Sequence, residues 1–234
     1  MKCYLLLPML FIYACNFTTS TTHTMTPNGI SINASGFAQV ISEISADIQI
    51  EVNPDSDYYC FLDCDQAIES AITFDIINDE LRIEAKEPIH TNKPIRIHMR
   101  VKELKSLNNK SSGNIVVKGG VKASHFKIDN LGSGTIQIND LQSTQLTVQN
   151  HGSGNVQLQG KVDQLDAQLL GSGNIEAINL SSAEAEASIN GSGNIEVAAT
   201  SKLQAQIVGS GNIFYKGNPT LQKNITGSGM ISAK

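Results

Sequence analysis

The chain has 234 residues, a formal net charge of −5, 17% charged residues and no Trp. That length allows one all-β domain with a core of its own, without metal or disulfide staples. The acidic balance excludes a basic nucleic-acid face. Aromatic residues at 5% leave little for stacking sugars or bases.

Residues 1–14 form the first element. One Lys precedes an apolar run of about 11 residues, the size of a signal-peptide core and too short for a spanning helix of roughly 20. The run ends Ile12-Tyr13-Ala14-Cys15, which resembles a bacterial lipobox. That resemblance implies acylation of Cys15, although Tyr13 fits its position poorly; ordinary cleavage nearby is the alternative. Residues 15–26 are rich in Thr and Ser and read as a tether. Residues 15–110 hold 8 Lys+Arg against 14 Asp+Glu, whereas 111–234 hold 8 of each, so the acidity is local and no basic stripe exists.

Residues 27–110 alternate with strand period at 37–42, 48–52, 72–76, 81–84 and 95–101. Asn78-Asp79-Glu80 looks like a hairpin turn. The stretch is expected to form longer, irregular first coils that cap a solenoid. Cys60 and Cys64 are the cysteines outside the targeting segment. In an exported protein they suggest a disulfide. Four extended residues would hold them about 13 Å apart, so a bridge needs a tight turn through residues 61–63; otherwise the thiols are free. Asp55, Asp57, Asp63 and Asp65 form two Asp-x-Asp pairs, better read as a solvated acidic loop than as a calcium site.

The strongest signal fills 111–234. A motif close to Gly-Ser-Gly-Asn-Ile recurs seven times. Its third position is Gly113, Gly134, Gly154, Gly173, Gly193, Gly211 and Gly229, with spacings of 21, 20, 19, 20, 18 and 18. A period near 20 means a solenoid. Apolar residues alternate after each motif (Ile115/Val117, Ile136/Ile138, Val156/Leu158) and before it (Phe126/Ile128, Leu146/Val148). A third apolar position falls between, at Val121, Leu141, Val162 and Leu180. Three short strands per turn predict an all-β, single-stranded parallel β-helix with coils stacked about 4.8 Å apart. The glycines are expected at corners of positive φ. Asn114, Asn155, Asn174, Asn194 and Asn212 are expected to stack in a hydrogen-bonding column, with Ser112, Ser133 and their successors beside them. No polar cap is visible at the C-terminal coil, which leaves a strand edge open to a homo-oligomer.

The chain resembles the auto-transporter adhesin "head GIN" domain family over roughly residues 30–220. The resemblance rests on Gly36-Phe37, on the 46–50 strand, on Asn78-Asp79-Glu80-Leu81-Arg82-Ile83, on the 101–107 approach and on the repeats. It implies a right-handed β-helix on an exported envelope protein and brings no catalytic residues.

No catalytic residue, cofactor or metal is assigned. The five histidines share no column. No Arg follows Arg100, so a lyase or hydrolase groove is poorly supplied, although Glu176 and Glu196 could be neighbours on adjacent coils. The expected role is a non-enzymatic adhesin or interaction scaffold facing a protein or glycan surface. It would touch the membrane only through a lipid anchor, at the outer membrane, the cell surface or in the periplasm. A periplasm-facing structural or stress-related lipoprotein is the alternative, and a β-helix polysaccharide lyase or hydrolase the third reading.

Overall fold

The structure, a computed structural model, describes residues 24–26 and 29–234. The targeting segment, Cys15 and most of the tether lie outside the described residues. No helix among them is long and apolar enough to cross a membrane.

Residues 106–234 wind as a parallel β-solenoid, with each coil pairing in parallel with the next. A coil is one long strand, such as Ile136–Asn150, Asn155–Leu169 or Asn174–Gly191, bent inside and broken at the Gly-Ser-Gly corner. Register shifts mark an inner bend, as between Ile138 and Leu141. The alternation read from the sequence is the inward/outward pattern observed. Ile48, Ile115, Ile136, Val156, Ile175, Ile195 and Ile213 stack in register along one wall, each at most 2% exposed. Each such side chain contributes roughly 1.5–3 kcal/mol by leaving water, and β-branched residues pack well in strands. The opposite wall tapers. Leu107, Ile128 and Val148 give way to Ala167, Ala187 and Ala205. Smaller side chains accompany the shorter C-terminal coils, because a tighter turn encloses less volume.

The N-terminal third does not stack in chain order. The coil containing Gln39–Ser42 and Asp47–Val52 lies between two later ones: Glu80–Ala85 with Arg96–Val101 on one side, Ser106–Asn109 with Ile115–Lys118 on the other. From residue 39 the chain first lays down this inner coil, then builds the layer outside it with residues 80–101, and returns to the inner side at residues 106–118. The end is closed by antiparallel strands. Tyr59–Asp63 pairs with Arg96–Val101, and Ile72–Ile77 with Glu80–Ala85. The latter hairpin turns at Asn78 (φ 51°) and Asp79 (φ 68°), as its residue types require. One apolar core runs through cap and coils from Ile30 to Ile231.

The far edge carries a guard that the sequence reading overlooked. In the strand Thr220–Gly227, Lys223 is the register partner of the buried Ala205, so a charge occupies an inward position of the last coil. Inward charges on edge strands oppose pairing with another chain. Lys223→Ile is therefore expected to shift sedimentation toward larger species at concentrations where the wild type does not shift. An unchanged profile would remove Lys223 as the guard.

Candidate functional site

The corner that carries the sequence signature is structural, for a reason other than the expected one. None of Gly113, Gly134, Gly154, Gly173, Gly193, Gly211 or Gly229 has a left-handed backbone. Each is needed because a Cβ would run into the coil below: at Gly173 it would overlap the carbonyl of Gly154, whose own Cβ would overlap that of Gly134. Positive φ occurs instead at the first motif position of later coils, such as Gly209 (φ 129°).

The Asn column forms. Asn174 donates its backbone N–H and Nδ2 to Asn155 Oδ1, both at 3.0 Å. Asn194 does the same to Asn174, and Asn212 to Asn194. Asn114 bonds to Asp47 Oδ1 below and accepts from the Thr135 N–H above; Thr135 occupies the next level, so this pair stands apart from the run Asn155 to Asn212. The serines make no comparable ladder among the described residues; Ser112 pairs with Ser45 at 2.9 Å.

A second column escaped the sequence reading. Asn109, Asn130 and Asn150 are fully buried four residues before a corner glycine. Each donates Nδ2 to that glycine's carbonyl, at 2.9, 3.0 and 2.8 Å, and the three are linked to one another. Asn recurring at that fixed offset was the available signal. It stops at Leu169, where the column turns apolar.

Cys60 and Cys64 are free. The tight turn a bridge needs is absent, because residues 59–63 are extended strand. Burial pushes the Cys60 thiol up to about 12. Burial, reinforced by Glu69, Asp63 and Asp65, pushes Cys64 up to about 11. Since thiolate is the reactive form, maleimide at pH 7 is expected to label both much more slowly in native than in urea-unfolded protein. Equal rates would contradict this burial. The acidic loop is dispersed into local pairs: Asp63 lies 3.6 Å from Arg96, and Asp65 lies 3.4 Å from Lys93. Asp65 also accepts from the Ala67 N–H. That bond first, and Lys93 second, hold its carboxyl below the usual range. No group of three metal-ligating side chains occurs among the described residues.

The feature open to a ligand is a trough along the face that precedes the corners. Its floor is two outward columns on adjacent coils. One is Gln145, Gln164, Glu184 and Lys202; the other is Thr147, Asp166, Glu186 and Gln204. They line about 340 Å³. A second depression of about 500 Å³, reaching Gln39, Glu80, Asn108 and His125, shares Gln145 and Thr147 and extends the trough toward the cap. Gln145 donates to Gln164 at 3.0 Å, and Gln168 donates to both Asp166 oxygens. Glu184, Glu186 and Lys202 carry no side-chain hydrogen bond or ion pair among the described residues. The trough thus offers amides, carboxylates and the ammonium groups of Lys105, Lys127 and Lys202, with coils repeating about every 4.8 Å, suited to hydrogen-bonding an extended polar chain. Glu176 and Glu196 are neighbours on the face after the corners. Glu176 accepts from Gln157, and Glu196 pairs with Lys234.

A crystal structure from Bacteroides fragilis described as a putative adhesin shares 24% identity and a TM-score of 0.84, covering 93% of this chain and 98% of that one. One from Parabacteroides distasonis described as a putative lipid binding protein shares 27% identity and a TM-score of 0.71, again over 93% and 98%. A putative adhesin from Parabacteroides merdae shares 20% and 0.70, over 93% and 97%. No curated protein matches the chain. The model of one family, "Putative auto-transporter adhesin, head GIN domain", matches residues 36–219, and the chain belongs to that family.

Proposed function

We propose that the protein is a non-enzymatic, exported envelope adhesin, held by an acylated Cys15, whose solenoid trough seats an extended glycan. The observation that carries this is the continuous amide- and carboxylate-lined trough from Gln39 to Gln204. Hydrogen-bonding groups repeat along it with the coils, so successive sugar units meet similar partners. Direct bonds at a wet surface are individually modest, which suits an adhesin acting in many copies. Family membership and neighbours described as adhesins or as lipid-binding support a binding role rather than catalysis.

The test is protease accessibility on intact cells, with Cys15→Ala as control, followed by attachment assays. Digestion from outside, release of the Cys15→Ala form, and weaker attachment by Gln164→Ala/Glu184→Ala cells are expected. Protection until the outer membrane is broken would sink the adhesin reading and favour a periplasm-facing lipoprotein.

A second reading, binding of a lipid, is favoured by one cleft. About 650 Å³ lies under the 86–95 loop, with Ile44, Ile95 and Pro88 as apolar walls and Lys86 and Lys93 beside them. Oleate is then expected to protect the 86–95 loop from proteolysis, and no protection would dismiss it.

A further inference from the structure

The low aromatic content argues against a sugar platform only if the aromatic residues are dispersed, and they are not. Phe37, Phe74 and Phe126 are in the core. Of the described side chains left at least partly accessible, Phe214 and Tyr215 lie on the strand Asn212–Lys216, whereas Tyr58, Tyr59 and Phe61 lie together within four positions on the antiparallel cap strand Tyr59–Asp63 and just before it. Tyr59 and Phe61 point outward from alternate positions. Their rings are near-parallel (15°), with centroids 6.5 Å apart, and Tyr59 is 41% exposed. The pair is held in place. The Arg100 guanidinium lies 5.8 Å from the Tyr59 centroid and is itself fixed by Glu51 at 2.9 Å. The strand register sets hydrogen-bonding side chains beside the rings: Phe61 faces His98, and His98 faces Gln49 on the next strand.

We propose that Tyr59 and Phe61 form a stacking platform for a hexopyranose ring of a neutral glycan, with His98 and Gln49 meeting its hydroxyls. The C–H face of a pyranose is apolar and flat on the scale of one aromatic ring, while its rim is hydroxyl-rich. Rigid aromatic side chains offer large contact area at low entropic cost, with a polar tip on Tyr. The local guanidinium is already paired, which disfavours an anionic sugar, whose carboxylate would have to displace Glu51. The platform lies on the cap, in line with the wall after the corners rather than with the trough's strand columns, and is independent of the trough reading.

The chain contains five Tyr and no Trp, and Tyr58 and Tyr59 lie at this site, so part of the tyrosine emission responds to it; calorimetric titration supplies the affinity where Tyr59 is replaced. Full-length protein is titrated with cellohexaose, mannohexaose and maltohexaose. At least one is expected to change the emission saturably. Tyr59→Ala and Phe61→Leu should each weaken that binding by about tenfold, the equivalent of about 1.4 kcal/mol for a lost aromatic contact. Phe61→Leu keeps apolar bulk on the strand, and unchanged far-ultraviolet circular dichroism would show each variant folded. Gln164→Ala, in the trough, should leave the affinity unchanged. No saturable change with any of the three sugars, or a loss confined to Gln164→Ala, would overturn the platform while leaving the trough to its own test.

Discussion

Gly173→Ala is expected to lower stability by roughly 3 kcal/mol, and Gly173→Val by at least as much, because the obstacle is the first side-chain carbon itself. A Cβ at Gly173 would overlap the carbonyl oxygen of Gly154 and come within 2.9 Å of Asn150 Nδ2. Neither neighbour can yield. The Gly154 carbonyl already accepts from Asn150 Nδ2 at 2.8 Å, and Asn150 is buried. The coils would have to separate locally, breaking stacked hydrogen bonds and opening the wall formed by Val156 and Ile175; overpacking of this kind typically costs 1–3 kcal/mol and occasionally more. The informative control is Gly36→Ala. Gly36 has φ 76° but nothing near its absent Cβ, so it pays only for a left-handed backbone, about 1 kcal/mol. Urea-unfolding midpoints decide between the two causes. If Gly173→Ala costs no more than Gly36→Ala, the close approach of the coils is not what requires the repeat's glycines.

What the sequence made legible follows from periodicity. Seven glycines near a 20-residue spacing and period-two alternation sufficed for the solenoid, because every coil obeys the same packing constraint. Hence Ile115, Ile136 and Ile175 fall inward as read. The Asn column was legible for the same reason: like residues at like phase must stack. The physical role of the glycines was not legible, since a residue without a Cβ serves a left-handed turn and a close approach equally well. The order of the cap was not legible because nothing periodic links Gln39–Ser42 to Ser106–Asn109, its partner 67 residues away. Such pairing is set by tertiary packing, not local pattern. The Cys pair was left open by the sequence: the spacing was compatible with a turn or with free thiols, and Cys60 and Leu62 alternate inward along a strand. The trough was hidden in plain view, because outward polar residues look like ordinary surface until the register aligns them into columns. The Tyr59–Phe61 pair was discounted by an argument from amount, and amount says nothing of placement.

Asn130→Ala should cost about 2–4 kcal/mol, the second large effect, and Asn130→Asp should show why. Asn130 is fully buried. Its Nδ2 serves the Gly134 carbonyl (3.0 Å) and Asn150 Oδ1 (3.4 Å), while its Oδ1 accepts from Asn109 (3.3 Å). Alanine leaves a void and strips partners from two buried acceptors. Aspartate keeps the shape but, when ionised, turns an oxygen toward those same acceptors with no cation nearby. Its folded pKa must therefore rise above the unfolded value of about 3.9. A raised carboxyl pKa binds the proton more tightly in the folded state. The variant should thus be least impaired below about pH 4, where the protonated oxygen can donate to Gly134. It should lose about 1.4 kcal/mol per pH unit above that, until the folded pKa is passed. The measurement is the difference in unfolding free energy between Asn130→Asp and wild type from pH 3.5 to 8. A difference that stays flat across that range would mean that the carboxylate finds water or a donor, and that the buried amide column is not the closed hydrogen-bonded stack seen at Asn109, Asn130 and Asn150.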